Sequence, residues 1–182
     1  MDNCNTKTMK KLSLLLSIII LSCNQQVEKT DDNSAANQAK FEQAVATWKI
    51  FPEGIAERDL DKVMSIFADS LKWYGPDQKT SDAYAGKADL RTALEGYLSV
   101  YSESSFKNGN YYGGNLYSMQ DDVSDNPNAT RIYGDWHHTH TESGTKVSHK
   151  WMAVLMFNED GKAHTFMDYF DVGGFQVQHL QE

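Results

Sequence analysis

Cysteine is nearly absent from this chain of 182 residues, and its scarcity excludes several kinds of site. The two cysteines, Cys4 and Cys23, both lie within the first 23 residues. The rest of the chain therefore has no disulfide framework, no zinc site with thiolate ligands and no cysteine nucleophile.

A surplus of basic residues is also missing. The chain has 17 lysine and arginine residues against 25 aspartate and glutamate residues, which gives a formal net charge of −8. Proteins that bind DNA or RNA usually carry a basic patch or a basic balance, so we expect no nucleic-acid partner. With 40% hydrophobic and 12% aromatic residues, the chain can bury the core of one domain.

Only one long apolar run is present, from Leu12 to Leu21, and it follows Lys10 and Lys11. About ten apolar residues are too few for a stable membrane span, which needs ~20. A basic segment followed by a short apolar run is typical of a secretory signal peptide. The run ends in Ile20-Leu21-Ser22-Cys23, which resembles the lipobox of bacterial lipoproteins.

The lipobox resemblance implies that Cys23 is diacylated and becomes the first residue of a lipid-anchored protein of the bacterial envelope. The residue directly after Cys23 is Asn24 and not aspartate, and in the lipoprotein resemblance this implies the outer membrane, facing the periplasm or the cell surface. An uncleaved short membrane anchor is the alternative interpretation. The chain starts at Met1 or at Met9, because Met9 opens a more typical lipoprotein signal.

This interpretation predicts three segments: a signal peptide at 1–22, a disordered polar tether at 23–37 and a folded domain at 38–182. Without residues 1–22 the chain keeps 14 basic and 24 acidic residues. Because an acidic domain is not attracted to anionic lipid headgroups, the acyl chains would hold the protein at the membrane.

The folded segment changes from helical to alternating periodicity along its length. Helical spacing of apolar residues predicts helices over 39–56, 59–67 and 86–101, with Pro52 kinking or breaking the first. Strands are predicted over 71–74, 106–119, 130–141, 146–157 and 162–171, and short turns join the last three into an antiparallel meander. The predicted fold class is α+β.

Three stretches together resemble nuclear transport factor 2-like domains, and most closely the SnoaL-like branch. They are ERDLDKVMSIFADSLKW at 57–73, GKADLR at 86–91, and DGK at 160–162 followed by YFD at 169–171. The resemblance implies a cone: three helices packed on a strongly curved antiparallel sheet that encloses a pocket, with Asp171 pointing into it. It also implies a homodimer through the sheet. It implies no single activity, because isomerases, dehydratases, cyclases, epoxide hydrolases and binding modules share this scaffold.

The turns predict the register of the last three strands. A loop around 142–145 would pair His138 with His149 and Trp136 with Trp151. A three-residue loop with a left-handed Gly161 would pair His149 with Asp171. This register gives a His138–His149–Asp171 row on the pocket face, whereas a two-residue loop would turn the last strand over.

Three interpretations of this row stay open. In the first, Asp171 orients His149, and His149 or His138 moves a proton near neutral pH. In the second, the two imidazoles and the carboxylate hold a divalent metal. In the third, the row only positions a ligand or lies at the rim of the pocket.

Other side chains are predicted to contact a ligand, although aromatic residues at helical spacing more often belong to a core. They are Trp48, Tyr97, Trp136, His140, Trp151 and Tyr169. The other face of the sheet, with Tyr133, Met152, Val154, Phe166 and Phe170, is too apolar for open solvent and would pack against a second copy.

The function predicted from the sequence is that of an envelope lipoprotein whose pocket binds a small apolar or aromatic molecule. The alternative is a cofactor-free isomerase, cyclase or hydratase with a His–Asp acid/base set. No phosphate loop, nucleotide fingerprint or serine nucleophile elbow is present, and we expect no cofactor and no metal.

Overall fold

The computed structural model describes residues 31–118 and 121–180. The predicted signal peptide and Cys23 lie outside the described residues. Within the described ranges, no helix is both long enough and apolar enough to cross a bilayer. The first of the described helices begins at Asp31, seven residues before the predicted domain boundary at 38. One compact unit, from Asn33 to Glu182, contains the fold described below.

Over the residues that the structure describes, four α-helices and a short 3₁₀ helix accompany the sheet. They are α1 (Asp31–Glu57), α2 (Leu60–Met64), α3 (Lys87–Val100), α4 (Val172–Gln176) and the 3₁₀ helix Val177–Leu180. Of the predicted kink or break at Pro52, the break is wrong, because Pro52 lies inside α1 and the helix continues to Glu57. The buried side chains of Trp48, Phe51 and Ile55 continue on one face across the proline, so packing outweighs the lost backbone hydrogen bond.

Five strands form a single sheet. They are β1 (Phe67–Tyr74), β2 (Tyr101–Gly113), β3 (Ala129–His140), β4 (Lys146–Phe157) and β5 (Ala163–Tyr169). The order is β1-β5-β4-β3-β2, with β2 to β5 as an antiparallel meander and β1 parallel to β5. The predicted α+β class is confirmed, with helices packed on a curved sheet. Two irregularities in the β2–β3 register contribute to that curvature.

The predicted register of β3 and β4 is wrong by two residues. Trp136 pairs with His149, and Gly134 pairs with Trp151. The connection closes earlier than predicted: the His140 amide bonds to the Thr145 carbonyl, and Gly144 takes a left-handed φ of 73°. Because the shift is even, each side chain keeps its predicted face.

The predicted face of β5 is wrong. Next to the turn, Phe157 pairs with Ala163 as predicted, but Met156 then pairs with Thr165, so His164 is an extra residue in a bulge. The bulge brings Ala163 and Phe166 into the same core, although strict alternation would separate them. Beyond it, Asp168 pairs with Ala153.

The His138–His149–Asp171 row is therefore not formed. His138 pairs with Val147, and β5 ends before it reaches His149. Asp171 is exposed and accepts a hydrogen bond from the Gly174 amide at 2.8 Å, as the N-cap of α4. Phe166, predicted on the outer face, belongs to the core.

Candidate functional site

A cavity of about 660 Å³ lies between the helices and the inner face of the sheet. Its walls are mostly aromatic and aliphatic. They include Phe51, Ile55, Leu94, Trp136, Trp151 and Phe166. The last residues of the described chain cover one side, since Val172, Gln176, His179 and Leu180 also line the cavity.

Four of the predicted site residues line this cavity: Tyr97, Trp136, His149 and Trp151. Tyr97 reaches it from α3, and the other three project from β3 and β4. Their faces were predictable because the helical and alternating patterns are regular over these segments. The structure thus brings together the aromatic part of the predicted site.

The other predicted site residues lie elsewhere. Trp48 is a fully buried core residue, stacked between Phe51 at 4.8 Å and Trp151 at 5.1 Å between ring centroids. His140 stacks on His179 with a centroid distance of 4.0 Å and does not itself line the cavity. Tyr169, on the reversed face of β5, lines a separate outer groove of the sheet.

Asp171 lines that same outer groove and not the cavity. The catalytic and metal interpretations of the row both required Asp171 beside His149. Within residues 31–118 and 121–180, no three His, Cys, Asp or Glu side chains are arranged to hold a metal ion.

Asp168 is the buried carboxylate of the cavity, and the sequence pattern did not assign it there. Its side chain lines the cavity and is 9% exposed. Its Oδ1 accepts a hydrogen bond from Trp73 Nε1 at 2.9 Å, and the Trp151 side chain also hydrogen-bonds to it. We call Asp168 with these two indoles the acid site. The signal in the sequence is a lone carboxylate between apolar residues of a strand.

Burial raises the pKa of Asp168 from 3.8 to about 7. The two indole N–H groups act in the opposite direction, because they stabilise the carboxylate. The nearby charge of Asp77 raises the pKa further. Desolvation is the largest of these effects, so Asp168 exchanges a proton near neutral pH.

His138 lies behind the cavity wall, 2% exposed, and contacts two hydroxyl groups. Its Nε2 lies 2.6 Å from Tyr97 Oη, and its Nδ1 lies 2.9 Å from Ser104 Oγ. Burial, with a smaller effect from His149, lowers the pKa of His138 from 6.5 to about 3. We call Tyr97, Ser104, His138 and His149 the imidazole cluster. The centroids of its two histidine rings are 5.8 Å apart.

His149 presents its ring to the cavity between aromatic side chains. The ring stacks on Phe170 at 4.4 Å and meets Phe175 at 4.5 Å. Its Nδ1 lies 3.3 Å from the Lys150 carbonyl oxygen, and among the described residues its buried Nε2 has no hydrogen-bond partner. Burial lowers the pKa of His149, so the neutral imidazole is favoured.

The sequence matches the family of SnoaL-like domains over residues 49–164, well over half of the chain. This chain belongs to the SnoaL-like domain family. The match spans α1 to the start of β5, so it contains most of the cavity walls. No curated protein is significantly similar to this SnoaL-like protein.

Solved structures share the fold at low sequence identity. A proposed polyketide cyclase of Xanthomonas campestris pv. campestris has a TM-score of 0.62 at 11% identity, covering 77% of this chain and 98% of its own. An NTF2-like protein of unknown function from Burkholderia pseudomallei has a TM-score of 0.58 at 17% identity, covering 77% and 98%. A proposed isomerase of Bacillus subtilis has a TM-score of 0.58 at 17% identity, and the alignment covers 72% of this chain and 88% of the isomerase. At these identities the similarity shows the fold alone.

Proposed function

We propose that this SnoaL-like domain binds a small, neutral, mostly apolar molecule and moves a proton on it, with Asp168 as the acid/base group. The reaction class is cofactor-free isomerisation, cyclisation or hydration. The observation that carries the proposal is the buried Asp168 carboxyl in the cavity wall, with a pKa raised to about 7. Solved neighbours described as a proposed polyketide cyclase and a proposed isomerase are consistent with this class.

A carboxyl group with this pKa suits proton transfer for two reasons. Near neutral pH both of its protonation states are populated, so it can take a proton and return it. Its low hydration also makes the carboxylate a stronger base than an exposed one. The Trp73 indole, 2.9 Å from Oδ1, holds the carboxylate in one orientation.

The wall of the cavity favours a neutral and apolar ligand. Among the described residues that line it, none is lysine or arginine, so an anionic ligand would find no compensating charge. Aromatic rings form several of its surfaces and suit a planar or cyclic molecule.

The acid/base set of this proposal differs from the one predicted from the sequence. A pKa near 3 leaves His138 neutral at neutral pH, so we assign it no proton-transfer role. His149 lines the cavity, and its buried Nε2 has no hydrogen-bond partner among the described residues, so it is assigned as a hydrogen-bonding group for the ligand.

The test is turnover of 5-nitro-1,2-benzisoxazole, a planar bicyclic probe that requires only a desolvated base. The base removes the ring C–H proton, the electron pair forms a nitrile, and the N–O bond breaks to give a coloured phenolate. Asp168→Asn should lower the turnover rate by at least about 100-fold. Asp171→Asn, three residues further on and outside the cavity, should turn over like the wild type.

Equal rates for the wild type and Asp168→Asn, in the presence of measurable probe binding, would contradict the catalytic proposal. The domain would then bind the probe without catalysing its reaction. Binding is followed separately by the quenching of tryptophan fluorescence, because Trp136 and Trp151 line the cavity.

We also propose that Cys23 anchors the protein to the bacterial envelope through acyl chains. The proposal is supported by the basic segment, the short apolar run and the lipobox-like Ile20-Leu21-Ser22-Cys23. Labelling of cells with radioactive palmitate should mark the wild type and not Cys23→Ala. Label that persists in the variant would contradict acylation at this residue.

A homodimer through the outer face of the sheet is a further proposal. Three exposed tyrosines on β2, β3 and β5 support it: Tyr112, Tyr133 and Tyr169. Sedimentation velocity should show a dimer that Tyr133→Glu weakens. A wild-type protein that is monomeric at all concentrations would contradict the proposal.

A further inference from the structure

Three polar groups form a chain that runs from the protein interior to the cavity. Ser104 Oγ lies 2.9 Å from His138 Nδ1, and His138 Nε2 lies 2.6 Å from Tyr97 Oη. Ser104 and His138 are buried, whereas Tyr97 lines the cavity. The position of one proton on His138 therefore decides what Tyr97 offers to a ligand.

The two titratable groups of this hydrogen-bond chain, His138 and Tyr97, are both neutral near neutral pH. Burial lowers the pKa of His138 to about 3, so near neutral pH the ring carries a single N–H. Burial also raises the pKa of the Tyr97 phenol far above its ordinary value, so its hydroxyl stays protonated. Two tautomers of His138 remain to be compared.

In the first tautomer the proton is on Nδ1. This N–H donates to Ser104 Oγ, and Tyr97 donates its own proton to Nε2. The Ser104 hydroxyl proton then has no acceptor, because Nδ1 is its only partner among the described residues. A buried hydroxyl without an acceptor disfavours this tautomer by roughly tenfold or more.

In the second tautomer the proton is on Nε2. The Ser104 hydroxyl donates to Nδ1, and Nε2–H donates to Tyr97 Oη. The only proton left without an acceptor is that of Tyr97, and Tyr97 lines the cavity, where a ligand can accept it. The Ser104 hydroxyl and the His138 N–H then both have acceptors, and the remaining proton belongs to Tyr97, the one of the three side chains that lines the cavity, so this tautomer is favoured.

We propose that Tyr97 donates a hydrogen bond to a ligand oxygen, and that His138 and Ser104 are positioning residues that keep the Tyr97 proton free. The ligand class is therefore a neutral, mostly apolar molecule with a carbonyl or similar acceptor oxygen. This inference rests on the proposed function in one respect, since it assigns the ligand class of the same cavity.

The tautomer is tested without any ligand. Two-dimensional NMR of the protein labelled with ¹⁵N-histidine distinguishes a protonated ring nitrogen from an unprotonated one. We expect His138 to carry its proton on Nε2, with the resonance assigned by its loss in His138→Gln. A proton on Nδ1 would overturn the proposal.

The ligand class is tested with two probes that differ in one oxygen, 1-tetralone and the hydrocarbon tetralin. The wild type should bind the ketone more tightly, by roughly tenfold for one hydrogen bond. Tyr97→Phe should lose this preference and keep its affinity for tetralin. An equal loss for both probes, or no preference in the wild type, would overturn the proposal.

Two further readouts separate positioning from packing. The infrared carbonyl band of bound 1-tetralone should lie at lower frequency in the wild type than in Tyr97→Phe. Ser104→Ala should move the band part of the way towards that of Tyr97→Phe, and Ser104→Thr, which restores the hydroxyl, should return it. If the carbonyl band of bound 1-tetralone has the same frequency in Ser104→Ala as in the wild type, Ser104 does not position Tyr97. Failure of the proposed function shows separately, because it is read from turnover of the benzisoxazole by Asp168.

Discussion

The acid site and the two histidines of the imidazole cluster lie on the same sheet, and burial shifts the pKa values of the carboxyl group and of the imidazoles in opposite directions. At the acid site it raises the pKa of Asp168 to about 7. In the imidazole cluster it lowers the pKa of His138 to about 3 and also lowers that of His149. The cause is the same in both regions, because a poorly hydrated site disfavours whichever form is charged.

The difference between the two regions lies in the partners of each group. Asp168 has two indole donors that stabilise its charged form, and this support keeps its pKa within reach of neutral pH. Among the described residues, the hydrogen-bond partners of His138 are two neutral hydroxyl groups, and its imidazole stays uncharged near neutral pH. The acid site is therefore suited to exchange protons, whereas the imidazole cluster is suited to hold fixed hydrogen bonds.

The largest expected effect is on the pH dependence of stability in Asp168→Asn. Between 3.8 and about 7 the native wild type binds more protons than the unfolded chain, so its stability falls as the pH rises through this window. Asparagine does not ionise, so the variant does not lose this stability as the pH rises. Its side-chain oxygen can still accept the hydrogen bond from Trp73 Nε1. The gain over wild type should be near zero at pH 3 and reach at most about 4 kcal/mol above pH 7.

Urea unfolding at pH 3, 5 and 8 measures this gain. Asp171→Asn is the matched control, since its carboxylate is exposed. A gain for Asp168→Asn that is the same at every pH would mean that Asp168 ionises freely in the native protein.

His138→Gln should change the same pH dependence with the opposite sign. Between 6.5 and about 3 the unfolded wild type binds more protons than the native state, so its stability falls as the pH falls. This loss amounts to about 3 kcal/mol by pH 4, and glutamine does not ionise. The variant should therefore be less stable at pH 7.5 but lose less on acidification, again measured with urea. If the free energy of unfolding of His138→Gln depended on pH as steeply as that of the wild type, His138 would not be a buried neutral imidazole.

The order of elements was predictable from the sequence because its signals are local. Periodicity changes from helical to alternating after α3, and Gly161 takes the predicted positive φ. The β4 strand, Lys146–Phe157, has its predicted limits. These patterns also placed Tyr97, Trp136, His149 and Trp151 at the cavity.

The acid site was not predictable, because its position depends on a contact distant in sequence. Ala163 pairs with Phe67 of β1 as well as with Phe157 of β4, and its amide bonds to the Ile66 carbonyl at 2.8 Å. The bulge at His164 follows directly after this pairing and turns Asp168 inward. Nothing local marks His164 as the extra residue.

A smaller effect is expected when one support of the acid site is removed in Trp73→Phe. The loss of the indole N–H donor removes a hydrogen bond that favours the carboxylate, so the pKa of Asp168 should rise further, by roughly one unit or about 1.4 kcal/mol. NMR titration of the Asp168 carboxyl carbon measures it. Trp136→Phe, which changes a cavity tryptophan that is not a donor to Asp168, should leave the titration unchanged. A shift of the same size in both variants would assign the effect to general repacking.

The smallest effect is expected at Asp171, which the sequence had placed in the pocket. Its Oδ1 accepts from the Gly174 amide at 2.8 Å, so Asp171→Ala removes an N-cap, a loss typically of about 1 kcal/mol. Because α4 has only five residues, the loss should be local: hydrogen exchange should increase over Val172–Gln176 while the urea midpoint changes little. Turnover of the benzisoxazole should stay close to that of the wild type, since Asp171 lies outside the cavity. A collapse of turnover comparable to that in Asp168→Asn, with α4 still protected, would return the acid/base role to Asp171 and remove the distinction between the two carboxylates.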